Sequence, residues 1–223
     1  DLKNFNKAAF LLKKVWPSLK RNSQFINYVF PIGDNKLADN GITFSTSDKD
    51  FFGGFSTSFM NVEQVSETIV HELAHNLLEV LLKKNKYIKD KRNTFFYYSA
   101  FRKDARPIEG LLHAIYSFVN VCYFLCRLIE YDIRYKKIYY LRYSELLIKT
   151  LISFRSIKNS KELTVNGKKF VKVDIQANFW DGDPDIDAVC RMIYKPECKF
   201  KKKYFPFFSK KISPFNSQNT LIT

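Results

Sequence analysis

Cysteine and histidine are both scarce in this chain, and each scarcity is informative. Four cysteines among 223 residues do not make the dense disulfide framework of a small secreted scaffold. Cys122 and Cys126 lie four apart in an apolar helical run, where cysteine serves as a small core residue. Cys190 and Cys198 are left as a pairing option. No secretory signal opens the sequence, and its first residue is Asp1 rather than Met, so a trimmed or processed chain in the reducing cytoplasm is expected. Acidic side chains are outnumbered, 22 against 37 Lys and Arg, for a formal net charge of +15. That balance favours anionic partners. Yet the chain has no helix-turn-helix signature, no zinc-finger spacing and no RNA-binding sheet motif. Nucleic acid is therefore disfavoured, and a solvated basic surface is the plain reading of the charge. No internal repeat is evident.

What is present is apolar bulk. The hydrophobic fraction is 46%, enough for a substantial core in one or two domains. Abundant Phe, Tyr, Lys, Asn and Ile is also what an A/T-rich genome encodes, so aromatic content alone marks no binding surface. One run, residues 111–129, is long enough to cross a bilayer. It carries His113, Asn120 and Arg127 and follows Glu109. Ionisable groups inside a span are costly, so a buried central helix is expected and a membrane is not favoured.

Periodicity divides the chain. Residues 7–20 read as an amphipathic helix with Ala8, Leu11, Leu12 and Val15 on one face, ended or kinked by Pro17. Short strands are expected at 25–32, 41–47 and 51–59, the last as an edge strand fit for strand addition by a peptide. Gly53-Gly54 marks a bulge or a close backbone approach. From Val65 the apolar period becomes helical, capped by Ser66 or Asn61 and closed by Lys83, Lys84 and Lys86. A basic, aromatic linker spans 89–106. Pro107 suits the first position of a second long helix reaching about Arg134. A third helix is expected at 140–154. Asn166-Gly167 signals a hairpin over 163–173.

The chemistry concentrates in His71-Glu72-Leu73-Ala74-His75. Residues i and i+4 of a helix stand about 40 degrees apart around its axis, so both imidazoles can grip one ion while Glu72 sits at the edge of that face. This arrangement suits metal-assisted hydrolysis with Glu72 as the base. The motif has only three fixed positions, but it lies on a helix that follows short strands. The remaining histidine, His113, lies on the next helix, where a metal would satisfy it; a core histidine bonded to a hydroxyl or carbonyl is the bland alternative. Glu109, four residues earlier on the same face, is the rival third ligand, or else an acid favoured by the helix dipole. Arg102 and Arg106 precede this helix and suit bidentate capture of a carboxylate. The ordinary reading of each is a surface arginine or a partner of Asp104.

Two blocks resemble a known family. Residues 66–78, around His71-Glu72-Leu73-Ala74-His75-Asn76, look like the core of the HExxH-type proteins that modify ribosomally made peptides. Residues 97–114 are similar in their Tyr98-Ser99 pair, Phe101-Arg102, Asp104-Ala105-Arg106-Pro107 and Gly110-Leu111-Leu112-His113. Weaker echoes are Val15-Trp16-Pro17, Gly54-Phe55-Ser56 and residues 163–167. The resemblance covers roughly residues 7–175. It implies an iron(II)- and 2-oxoglutarate-dependent peptide β-hydroxylase that uses O2, with His71, His75 and His113 as iron ligands. It implies Arg106 or Arg102 as the clamp on the distal carboxylate of 2-oxoglutarate, with Tyr98 in the same cofactor-binding block, and Glu72 as an outer group. Three imidazoles depart from the two-His-one-carboxylate triad and suit zinc equally well, so a zinc metallopeptidase using Glu72 is the alternative.

The expected fold is therefore α+β and mostly helical, with a zincin-like HExxH helix packed against a small sheet and a long second helix. Residues 1–175 form the metal-dependent domain, and 176–223 are an extension of unassigned structure. The expected partner is a precursor peptide, with an acidic leader suiting the basic surface.

Overall fold

The computed structural model of the chain describes residues 2–19, 26–32, 45–47, 51–58, 61–89, 95–132 and 136–171. The first helix, α1 (Leu2–Val15), buries Ala8, Leu12 and Val15 on one face. It stops just before Trp16-Pro17, because a proline crowds the residue before it out of helical backbone. Trp16 is then free to pack edge-on against Tyr123, with ring centroids 4.6 Å apart.

Three short strands follow: β1 (Tyr28–Pro31), β2 (Ser45–Ser47) and β3 (Gly54–Thr57). They fall within the expected segments but are shorter, and residues 25, 41–44 and 59 lie outside the described residues. The sheet order is β1-β3-β2, with β3 parallel to β1 and antiparallel to β2. This corrects the expectation of an edge strand at 51–59. β3 is central, and both of its edges are already hydrogen-bonded, so no peptide can add there. Gly53 has φ 83, a conformation that favours glycine. Its carbonyl accepts from the N–H groups of Asn27 and Tyr28.

The HExxH helix is α2 (Val62–Lys84), capped by Asn61, whose side chain accepts from the Gln64 N–H. Ser66 lies inside the helix and bonds back to the Val62 carbonyl. The linker after α2 closes through a two-residue antiparallel pair, β4 (Phe96–Tyr97) with β5 (Arg106–Pro107). Next comes α3 (Ile108–Tyr131), with Pro107 as its cap one residue before the expected position. Among the described residues α3 is the helix long and apolar enough to cross a membrane, and 61% of its most apolar window is buried within the protein. It packs against both α2 and α4 (Lys136–Ile157), which is the central placement expected of it.

The expected hairpin at 163–173 is not formed; residues 172 and 173 lie outside the described residues. Thr164 instead caps a short helix, α5 (Val165–Lys169), its hydroxyl accepting from the Gly167 N–H at 2.9 Å. The glycine is needed for approach rather than for a turn, because a Cβ at Gly167 would fall on the Tyr87 carbonyl oxygen. Behind it Tyr87 stacks on Phe170 at 4.3 Å. This end of the core is completed by Leu78, Leu111, Ile115, Tyr116 and Ile157. The fold is thus α+β and mostly helical, and the described residues belong to one unit, Asp1–Asp181. The extension at 176–223 lies outside the described residues.

Candidate metal centre

Helical spacing puts His71 and His75 one turn apart on α2, with ring centroids 4.6 Å apart and inclined at 80°. Their Nε2 atoms are 3.0 Å apart. The packing of α3 on α2 brings His113 to the other side of His75, Nδ1 to Nδ1, also at 3.0 Å. His113 Nε2 in turn meets Glu79 Oε1 at 3.1 Å. Glu79 has no part in the sequence reading. Its signal was available, since it stands four residues beyond His75 and so continues the His71, His75 stripe by one more turn.

Burial decides the charge of these rings. It lowers the His71 pKa to about 4, helped by the positive charge of Arg142. His75 is driven well below its ordinary value by burial, then by its two histidine neighbours. His113 is lowered by burial too, against the opposing pull of Glu79 and Glu109. At neutral pH all three are neutral imidazoles, the form that binds a metal.

The donor chemistry fits a divalent ion. Metal–nitrogen bonds of 2.0–2.1 Å at a tetrahedral angle separate two ligand nitrogens by about 3.3 Å. The His71 and His75 Nε2 atoms therefore need to part by only a few tenths of an ångström. His113 is in reach but faces the other nitrogen of His75. Among the described residues no three donors already converge on one point, so His113 could serve as a third ligand beside His71 and His75 only with a turn of the His75 or His113 ring.

Glu72 is engaged with the sheet. It is 2% exposed, and its Oε1 accepts the Ser45 hydroxyl of β2 at 2.5 Å. Burial raises its pKa, while the hydroxyls of Ser45 and Ser47 pull the other way. Asn76 fastens the same junction. Its amide donates to the Glu72 carbonyl at 2.9 Å, and its Oδ1 accepts from the Gly53 N–H at 2.7 Å. The sheet is thus bonded to α2 on both sides of His75.

A cleft of about 1030 Å³ opens over the histidines. Arg102 and Arg106 both line it. Arg106 also faces Asp104 at 3.5 Å and lies across Gly110, where a Cβ would come within 3.5 Å of its side chain. Phe30 and Phe51 line the sheet side. Phe101 lines the opposite wall, stacked at 4.0 Å on Phe118, which itself packs on His71 at 4.7 Å. Two expected residues are not brought in. Tyr98 is 65% exposed and absent from the lining: in the extended backbone from β4 onward side chains alternate, Tyr97 reaching the Ser160 hydroxyl and the buried Ser99 facing the cleft while Tyr98 faces solvent. Glu109 is also absent from the lining and acts on His113 through its charge. Compared with known proteins, the chain matches no protein-family model and no curated protein.

Proposed function

We propose that this chain is an iron(II)- and 2-oxoglutarate-dependent hydroxylase acting on a β-carbon of a ribosomally made precursor peptide. The observation that carries the reading is that Arg102 and Arg106 open onto the same cleft as three neutral imidazoles. Guanidinium groups there suit bidentate capture of the distal carboxylate of a dicarboxylate cosubstrate. His71, His75 and His113 would hold the metal, giving a zincin-like placement of the HExxH helix between a small sheet and a second helix. Once bound, iron(II) with 2-oxoglutarate and O2 would supply the oxidising chemistry for a C–H bond.

The chain's own residues do the rest. Arg106, the less exposed of the two arginines, holds the distal carboxylate, and Arg102 widens the positive field at the mouth. Phe101 and Phe118 cover His71 and keep water from that side. Phe30 and Phe51, both exposed at the rim, offer an apolar seat for a peptide side chain. The net charge of +15 suits an acidic leader. Glu72, held by Ser45, orients α2 against the sheet.

A second reading has its own support. Glu72 also lines the cleft, and its raised pKa suits a general base, as a zinc metallopeptidase would require. The deciding experiment combines the purified chain with iron(II), 2-oxoglutarate and candidate precursor peptides. A gain of one oxygen in peptide mass, dependent on all three additions, is expected. Cleaved peptide with zinc alone, and no oxygen gain with any candidate, would replace the hydroxylase by the peptidase.

A further inference from the structure

The contact between Glu79 and His113 has a chemical polarity. A carboxylate oxygen only accepts, so the 3.1 Å contact to His113 Nε2 places the ring proton on that nitrogen. A neutral imidazole carries one N–H, which leaves Nδ1 bare. Nδ1 is the atom turned toward His75 and away from Glu79. The order continues along the cluster. His75 Nδ1–H donates to His113 Nδ1, and the Nε2 of His75 is then bare toward His71. The carboxylate at the end of the stripe thus sets which nitrogen of His113, and in turn of His75, is left bare in the metal-free cluster.

We infer that Glu79 is a positioning residue: by accepting the Nε2 proton of His113, it fixes the tautomer in which Nδ1 is the donor atom offered to the metal. The inference rests on the metal-site reading proposed above. Its physical basis is general, since a ligating histidine usually gives its second N–H to a carboxylate or carbonyl, which orients the ring and raises its basicity. Here the carboxylate belongs to the helix that carries the other two ligands. Glu79 therefore also locks α3 to α2 at the depth where His113 must stand.

The test uses the full chain, uniformly labelled with nitrogen-15, as wild type, Glu79→Gln and Glu79→Leu. Long-range proton–nitrogen correlations on the metal-free protein at neutral pH report the His113 tautomer. A zinc titration against a competing chelator then gives affinity, and the nitrogen shifts of the zinc-loaded protein give the ligating atom. The wild type should show the Nε2–H tautomer and ligation through Nδ1. Glu79→Gln should keep the tautomer, because its amide carbonyl still accepts. Glu79→Leu should mix the two tautomers and lose about ten- to a hundredfold in affinity. An Nδ1–H tautomer in the wild type, or zinc on Nε2 of His113, overturns the inference, and neither outcome needs the leucine variant to fold. Equal affinity in all three proteins overturns the role of Glu79 while leaving the metal site intact. The expected tautomer with no stoichiometric metal overturns the metal-site reading instead.

Discussion

The Ser45 hydroxyl donates a hydrogen bond to Glu72 Oε1 at 2.5 Å, joining β2 to the HExxH helix within the cleft that the histidines line. A buried carboxylate that loses a donor bears part of its desolvation cost. Ser45→Ala should therefore cost about 1–3 kcal/mol of stability, seen as a lower denaturant midpoint at an unchanged slope. Glu72→Gln separates the two functional readings. As an outer group Glu72 is partly replaceable, so hydroxylation should fall by less than about tenfold, whereas loss of a general base costs about a hundredfold or more. Complete loss of peptide turnover in Glu72→Gln, with metal still bound, would sink the outer-group role.

Arg106 and Arg102 differ in a way that titration with 2-oxoglutarate can read. Arg106 is the less exposed, lies over Gly110 and lines the cleft beside His113. A lost hydrogen bond to a charged group costs about 1.5–3 kcal/mol. Arg106→Ala should thus weaken 2-oxoglutarate binding by about 10- to 100-fold, measured anaerobically through the visible band of the iron(II) complex. Arg106→Lys should recover little, since a point charge lacks the guanidinium fork. Arg102→Ala should change affinity by only a few-fold. The reverse ranking would make Arg102 the clamp.

The helices were legible because their apolar residues recur at helical spacing and their ends carry ordinary signals. Asn61 and the lysines at 83 and 84 mark α2, and Pro17 and Pro107 bracket two further boundaries. The His71, His75 and His113 grouping was legible for the same reason, as a spacing rule plus scarcity. What failed depended on tertiary neighbours. Asn166-Gly167 looks like a turn in sequence, but the demand on Gly167 comes from Tyr87, far earlier in the chain. The central position of β3 depends on a parallel partner, β1, that no local pattern announces. Tyr98 belongs to a sequence motif, yet it stands just past β4 and faces solvent. Glu79 reads in sequence as an ordinary solvated helix acid, and only the approach of α3 gives it a histidine.

Acid should destabilise the metal-free protein through these same histidines. The His71 pKa is depressed to about 4 from an ordinary 6.5, so between those values the unfolded chain binds more protons than the folded one. Stability is then full above pH 6.5 and is lost as pH falls toward 4, levelling off below that. A shift of this size corresponds to about 3 kcal/mol for His71 alone. His75 and His113 are displaced in the same direction. Glu72 opposes them, since its raised pKa lets the folded state take up a proton first on acidification. The histidines outnumber it, and the net slope should be downward. Chelator-treated protein unfolded in urea at pH 7.5, 6.5, 5.5 and 4.5 should show a steadily falling midpoint. His71→Gln, which removes one of these titrations, should show a shallower fall. A profile that is flat from pH 6.5 to 4.5, or one unchanged by His71→Gln, would mean that the folded protein accepts protons on these rings as readily as the unfolded chain does, and that burial does not hold the cluster neutral below pH 6.5.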